Sequence, residues 1–378
     1  MKVHPKKILD SLQKSDITFF TGVPDSLLKD FLAYVQGQIP ASDRITAANE
    51  GNAIAIAAGY HLATGGIAGV YMQNSGLGNA INPLVSLADK EVYAIPMLLI
   101  IGWRGEPGVS DEPQHIKQGK ITEKLLEVLD IPYGVLSADS SEEEMTSEIV
   151  RLSKVAQTEK RPCALLVRSG TFEVYLAPKH IAEEGSLGRE EAIGMILDSL
   201  DGSEIVISTT GKISRELYEE RKSRGESTGK DFLTVGSMGH ASQIALGIAC
   251  QKKNKTVYCL DGDGAVIMHM GGLATVGWVA PENFKHIVLN NRAHESVGGQ
   301  PSAAEAIDLP GVAKSCRYTF VATITTKEEL VSMLATFKTH QGPAFLEIKV
   351  NLKSRKNLGR PEESPAENKK KFMDFVRE

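Results

Sequence analysis

Short apolar segments rich in β-branched residues alternate with amphipathic helical stretches along the whole chain. That alternation predicts the α/β class with doubly wound, largely parallel sheets, because parallel strands need crossovers and helices supply them. In the first half the expected strands are Ile17 to Phe20, running into Thr21-Gly22-Val23-Pro24, then Ala68 to Met72, Met97 to Ile101 and Cys163 to Val167. Between Ala177 and Arg189 the chain turns polar, with Pro178, Glu183, Glu184, Gly185, Ser186 and Gly188. A second series follows, at Ile205 to Ser208, Val257 to Leu260, His286 to Leu289 and Ala344 to Val350. Two domains are therefore expected, at 1–178 and 190–378, with a linker at 179–189. No short-period repeat is visible. In open sheets of this kind ligands collect at the carboxyl ends of the strands.

The 378 residues, 42% hydrophobic and 24% charged, suit two globular domains rather than a disordered chain. The net charge of −5 gives no basic footprint for nucleic acid, so an anion site must be local. The longest apolar run, Ile95 to Trp103, is far below the ~20 residues that cross a bilayer. Met1 to Leu12 lacks an export signal, which predicts a cytoplasmic protein with no membrane partner. Cys163, Cys250, Cys259 and Cys316 lie far apart and are expected as thiols. The basic stretch from Lys353 to Lys371 reads as a solvated tail.

The sharpest local feature is Asp261-Gly262-Asp263-Gly264-Ala265 at a strand end, with Asn290-Asn291 at the next strand end. The two glycines let backbone approach a phosphate, and Asp263 supplies a hard oxygen suited to magnesium. Asn291, 28 positions later (291 minus 263), offers a neutral second oxygen. An EF-hand fails because Ala265 and Val266 stand where that loop needs an oxygen ligand and a glycine. A nicotinamide fingerprint fails because Ile81 replaces the third glycine after Gly76-Leu77-Gly78. Glu50 precedes a small-residue helix, Ala53 to Tyr60, that looks buried; it is either a helix-start acid or a carboxyl with a task.

This pairing of GDG with a later NN resembles the signature of thiamine-diphosphate-dependent 2-oxo-acid decarboxylases. The resemblance implies two domains of the thiamine-diphosphate-binding fold, a pyrimidine-binding one followed by a diphosphate-binding one. It implies Mg2+ held by Asp263, Asn291 and the Ala293 carbonyl together with the cofactor's phosphates. Glu50 matches the family's catalytic glutamate, Gly236 the carbonyl that meets the aminopyrimidine, and Met238 the apolar wedge between its rings. Thr210 and Gly211 match the diphosphate loop with Gly262, Gly264 and Ala265, and Asn74 is expected to face the pyrimidine.

Four segments, Thr21 to Leu27, Arg104 to His115, Val206 to Lys212 and Asn290 to Pro301, resemble the branch of this family that acts on 3-phosphonopyruvate. What that implies is non-oxidative decarboxylation, through the cofactor's ylide, to phosphonoacetaldehyde and CO2, in a route to 2-aminoethylphosphonate-type compounds. An anionic headgroup in a dry site needs charge-assisted hydrogen bonds, and Arg104, His115, Arg292 and His294 are the candidate cations. Asp25 matches an acidic position used for proton transfer, with His115 a second catalytic candidate. The family's cofactor lies between subunits, which implies a homo-oligomer, a dimer at least. A sulfopyruvate-decarboxylating enzyme is the nearest alternative. An acetolactate-type carboligase is disfavoured by the lack of a flavin-binding middle domain, and a noncatalytic binding module by Glu50, Asp263 and Asn291 together.

Overall fold

The computed structural model describes residues 2–175, 187–355 and 357–378, with the Ser296 side chain left aside. The linker expected at 179–189 lies for the most part outside the described residues. The chain divides into two compact units, Met1–His180 with His294–Gln300, and Ile181–Ala293 with Pro301–Glu378.

Among the described residues, the first unit carries a six-stranded parallel sheet in the order Arg44–Thr46, Phe19–Gly22, Ala68–Gln73, Met97–Gly102, Pro162–Val167, Tyr133–Leu136. Strand periodicity splits its side chains between two cores. Leu98, Ile100, Cys163, Leu165 and Val167 pack on one face against helices Pro5–Lys14, Lys29–Gln38 and Glu142–Glu159. Leu99, Ile101, Ala164 and Leu166 pack on the other against Glu50–Thr64 and Pro113–Val128. A strand buried on both faces reads as an unbroken apolar run, which is why Ile95 to Trp103 stood out.

The second unit repeats the scheme, with parallel strands ordered Phe320–Ile324, Ala344–Lys349, Phe284–Asn290, Val257–Gly262, Ile205–Ser208, Asp231–Leu233. Ranking each sheet's own strands along the chain gives one and the same order for both units. The expected strands are all present, although the first begins at Phe19 rather than Ile17, which is tied to the preceding helix by its amide on the Leu12 carbonyl. Of the strands described in these two sheets, four escaped the sequence reading: Arg44–Thr46, Tyr133–Leu136, Asp231–Leu233 and Phe320–Ile324. They are the two edges of each sheet. Edge strands are short and solvated on one side, so they lack the apolar run that marks a central strand.

The stretch expected as a solvated tail keeps Lys353, Arg360, Lys369, Lys370 and Lys371 exposed, but its end is folded onto the second sheet. Pro365–Arg377 is a helix opened by a Ser364/Glu367 capping box. Its buried Asn368 accepts from the Leu233 amide at 3.2 Å and donates to the Asp231 carbonyl at 3.0 Å, while Phe372 lies against Phe232. The helix thus closes one exposed sheet edge. Cys163 and Cys259 are buried, Cys250 and Cys316 half-buried, and all four are free thiols.

Candidate active site

Each sheet has a switch point, where one strand connects outward on one side and its neighbour on the other, and the crevice beyond the strand ends is the natural ligand position. In the second unit it falls between Ile205–Ser208 and Val257–Gly262. Thr209, Thr210 and Gly211 follow the first strand and Asp263 the second. Leu289 pairs with Gly262, which brings Asn290 and Asn291 to the adjoining end.

Asp263 is 4% exposed. Burial pushes its carboxyl up to about 6, against hydrogen bonds from Ser302 and the Gly264 amide that pull the other way. Ser302 Oγ donates to Asp263 Oδ2, and the Ser302 amide donates to the Arg292 carbonyl at 2.9 Å, so one serine ties the two strand-end loops together. Asn290 donates to Glu347 Oε1 at 2.6 Å and accepts from the Arg292 amide at 2.9 Å. Asn291, also buried, accepts from the Ala293 amide at 3.1 Å. Behind the turn, Asp261 accepts from the Gly262 amide at 3.0 Å, with His286 Nε2 at 3.4 Å from its other oxygen.

Thr210 Oγ1 donates to the Val235 carbonyl at 2.8 Å, whereas the buried Thr209 hydroxyl has no partner among the described residues. Gly211, with φ +100°, immediately precedes helix Lys212–Ser223. Past Val235, Gly236 and Met238 are half-buried, and Ser237 between them adopts φ +57°. A core-filling methionine would be buried; this one is presented on a loop.

In the first unit the switch point lies between Phe19–Gly22 and Ala68–Gln73. Glu50 opens helix Glu50–Thr64 behind Asn49, whose side chain accepts from the Asn52 amide. It is 5% exposed, and Asn79 Nδ2 donates to its Oε2 at 2.8 Å. A Cβ at Gly76 would come within 2.3 Å of Oε1, so glycine there is what lets the carboxyl lie against the 74–76 turn. Asp25 is fully buried, accepting from the Leu27 and Leu28 amides at 2.8 and 3.2 Å and from Gln73 Nε2 at 2.7 Å; burial nevertheless raises its pKa. Asn74 spans the Arg104 backbone, donating to its carbonyl at 2.8 Å and accepting from its amide at 3.1 Å, and also donates to Thr122 at 2.9 Å.

Arg104 is joined to Asp111 through Nε at 2.8 Å and donates from Nη1 to Ser26 at 2.8 Å. His115 Nδ1 lies 3.0 Å from Asp111, so two of the four candidate cations share one carboxylate. The loop and helix that carry them interlock, since a Cβ on Gly119 would sit 1.7 Å from the Gly105 carbonyl oxygen, and Trp103 Nε1 donates to the Gly119 carbonyl at 3.0 Å. The other two candidates differ in state: Arg292 has φ +58°, and burial lowers the His294 pKa to about 4, leaving that ring neutral at pH 7. Sequence reasoning missed Gln73, Asp111 and Ser302. Asp111 lay inside a tract already singled out, but nothing in one sequence marks which residue of a loop gathers the others.

Residues 5–126 match the family model described as "Thiamine pyrophosphate enzyme, N-terminal TPP binding domain", and residues 211–348 match its C-terminal TPP binding domain. A phosphonopyruvate decarboxylase from Streptomyces viridochromogenes is 37% identical over 95% of this chain and 91% of its own length. The chain belongs to the thiamine pyrophosphate enzymes. Another phosphonopyruvate decarboxylase, from Streptomyces hygroscopicus, is 33% identical over 98% of this chain and 93% of its own length. A sulfopyruvate decarboxylase from Methanosarcina acetivorans is 27% identical over 99% and 98%. The two parallel sheets are those of the thiamine-diphosphate-binding fold, and the chain is a thiamine-diphosphate-dependent decarboxylase, a family that typically uses Mg2+ with its cofactor. The residues present fit that group: a buried carboxylate hydrogen-bonded to no cation among the described residues, a buried amide at the adjoining strand end, and a Thr209 hydroxyl without a partner among them.

Proposed function

We propose that this protein decarboxylates 3-phosphonopyruvate, without net oxidation, to phosphonoacetaldehyde and CO2. The observation that carries the substrate is similarity of 37% and 33% to two phosphonopyruvate decarboxylases along nearly the whole chain, against 27% to the sulfopyruvate enzyme. The pairing of Arg104 and His115 beside buried Asp25 supports an anionic headgroup at the first unit's strand ends.

Bound thiamine diphosphate supplies the carbon nucleophile and the electron sink. Asp263, Asn291 and the Ala293 carbonyl would hold Mg2+, and Thr210, Gly211, Gly262, Gly264 and Ala265 would line the diphosphate. The Gly236 carbonyl would accept from the aminopyrimidine, Met238 would wedge between the rings, and Asn74 would brace the pyrimidine side. Glu50 would hold a proton at the pyrimidine ring nitrogen, a task favoured by its dry position. Asp25, whose pKa is raised by burial, would deliver the proton that completes the aldehyde. Arg104, His115, Arg292 and His294 would receive the substrate's anionic end.

Residues 1–178 would form the pyrimidine domain and 190–378 the diphosphate domain, with sites shared between subunits of a homo-oligomer. Among the described residues no helix is long and apolar enough to cross a membrane. The test is aldehyde formation from phosphonopyruvate and sulfopyruvate side by side, with and without thiamine diphosphate and Mg2+. Cofactor-dependent turnover that favours phosphonopyruvate is the expected result, and faster turnover of sulfopyruvate overturns the substrate assignment.

A further inference from the structure

The loop after strand Met97–Gly102 gathers five donors on one carboxylate. Asp111 Oδ2 accepts from Arg104 Nε at 2.8 Å and from the Gly105 amide at 2.7 Å. Its Oδ1 accepts from Arg104 Nη2 at 2.5 Å and from the Glu112 amide at 2.7 Å, and lies 3.0 Å from His115 Nδ1. A carboxylate has about four lone-pair sites, so this one is saturated. Burial raises its pKa, but the hydrogen bonds from Arg104, His115, Glu112 and Gly105 outweigh that and hold it well below the usual carboxylate range. Surrounded by these donors Asp111 is held as the anion, and an ionised carboxylate only accepts.

His115 Nδ1 must therefore carry the hydrogen in this contact, whether the ring is neutral or charged. The other ring nitrogen, Nε2, bonds to no described residue. His115 is also the third residue of helix Pro113–Val128, where the helix dipole disfavours an imidazolium; the adjacent anion offsets this. Around the pair the charged groups are Arg104 and Glu112, with Asp25 beyond Arg104; the turn 74–76 that packs on the helix brings only Asn74, Ser75 and Gly76. Arg104 spends three of its five N–H groups on Asp111 and Ser26, which leaves two for a ligand.

We infer that Asp111 is a positioning residue for substrate recognition: it locks His115 in the Nδ1–H tautomer, so that Nε2 exchanges protons with the substrate, and clamps Arg104 beside it. This rests on the reading that these cations meet the anionic 2-oxo acid. The tautomer is nonetheless a property of the protein alone.

Nitrogen-15 spectra of the full-length protein, with the His115 signal identified by its loss in His115→Gln, read that tautomer directly. The expected state is Nδ1–H with a pyridine-like Nε2. In Asp111→Asn the single tautomer should give way to a mixture of Nδ1–H and Nε2–H rings, because an amide can donate to Nδ1 as well as accept from it. The same variant should raise KM for phosphonopyruvate by about tenfold or more, with kcat reduced less. A wild-type ring with its single proton on Nε2 overturns the inference, as does an Asp111→Asn variant with an unchanged tautomer and KM. If the wild type ignores phosphonopyruvate but shows the tautomer and loses it in Asp111→Asn, the pair stands and the substrate assignment falls.

Discussion

Glu50 and Asp263 are both buried acids at the start of a helix, yet their surroundings give them different work. Glu50 has one oxygen on the Asn79 amide and the other against Gly76, a neutral cradle suited to a carboxyl that trades a proton. Glu50→Gln keeps the shape and removes the acid. It should lower kcat by about 10² to 10⁴-fold while thiamine diphosphate still binds, measured by steady-state kinetics and by calorimetric titration of the cofactor. Asp263 has a hydroxyl and backbone amides for company and no bonded cation, an arrangement that favours a divalent ion. Asp263→Ala should abolish the Mg2+ dependence of cofactor binding. Titrations in Mg2+ and in a chelator that differ as much as in the wild type would refute the ligand assignment.

Among the elements, helix Pro113–Val128 and the loop before it do most to shape the first unit's strand-end crevice, and glycines set how close they come. Gly119 is in the helix interior, where alanine normally stabilises by up to about 1 kcal/mol. Here the added methyl would press on the Gly105 carbonyl, so Gly119→Ala should destabilise by about 1–3 kcal/mol, read as a lower denaturant midpoint. It should also raise KM, since Arg104 and His115 are on the two sides of that contact. At the second unit's edge, Asn368→Ala would strip partners from two buried backbone groups of strand Asp231–Leu233, costing about 1–3 kcal/mol. Central strands and their flanking glycines were legible in the sequence because burial on both faces leaves an unbroken apolar run. Edge strands and the packed C-terminal helix were not, because their partners come from remote parts of the chain.

For the whole molecule, the two units share one strand order, and the residues proposed for the chemistry are divided between them: Glu50, Asp25 and the Asp111 cluster in the first, Asp263 and Asn291 in the second. If sites are shared between subunits, two inactive variants can repair each other. Mixing Glu50→Gln and Asp263→Ala chains and letting them re-associate should restore about a quarter of wild-type activity, as half of the random dimers carry one intact site of two. No recovery with demonstrated subunit exchange would place each site within one chain. Sequence alone determined the class of fold and the central strands, and it singled out residue types suited to hold a metal and a proton, because hydrophobic period and short motifs are local in the chain. Only the tertiary structure decided that Ser302 joins Asp263 to the Asn291 loop and that Asp111 binds Arg104 and His115 together. Those contacts depend on which loops the strand order makes neighbours, and on glycines whose missing side chains have no signal of their own until another backbone arrives.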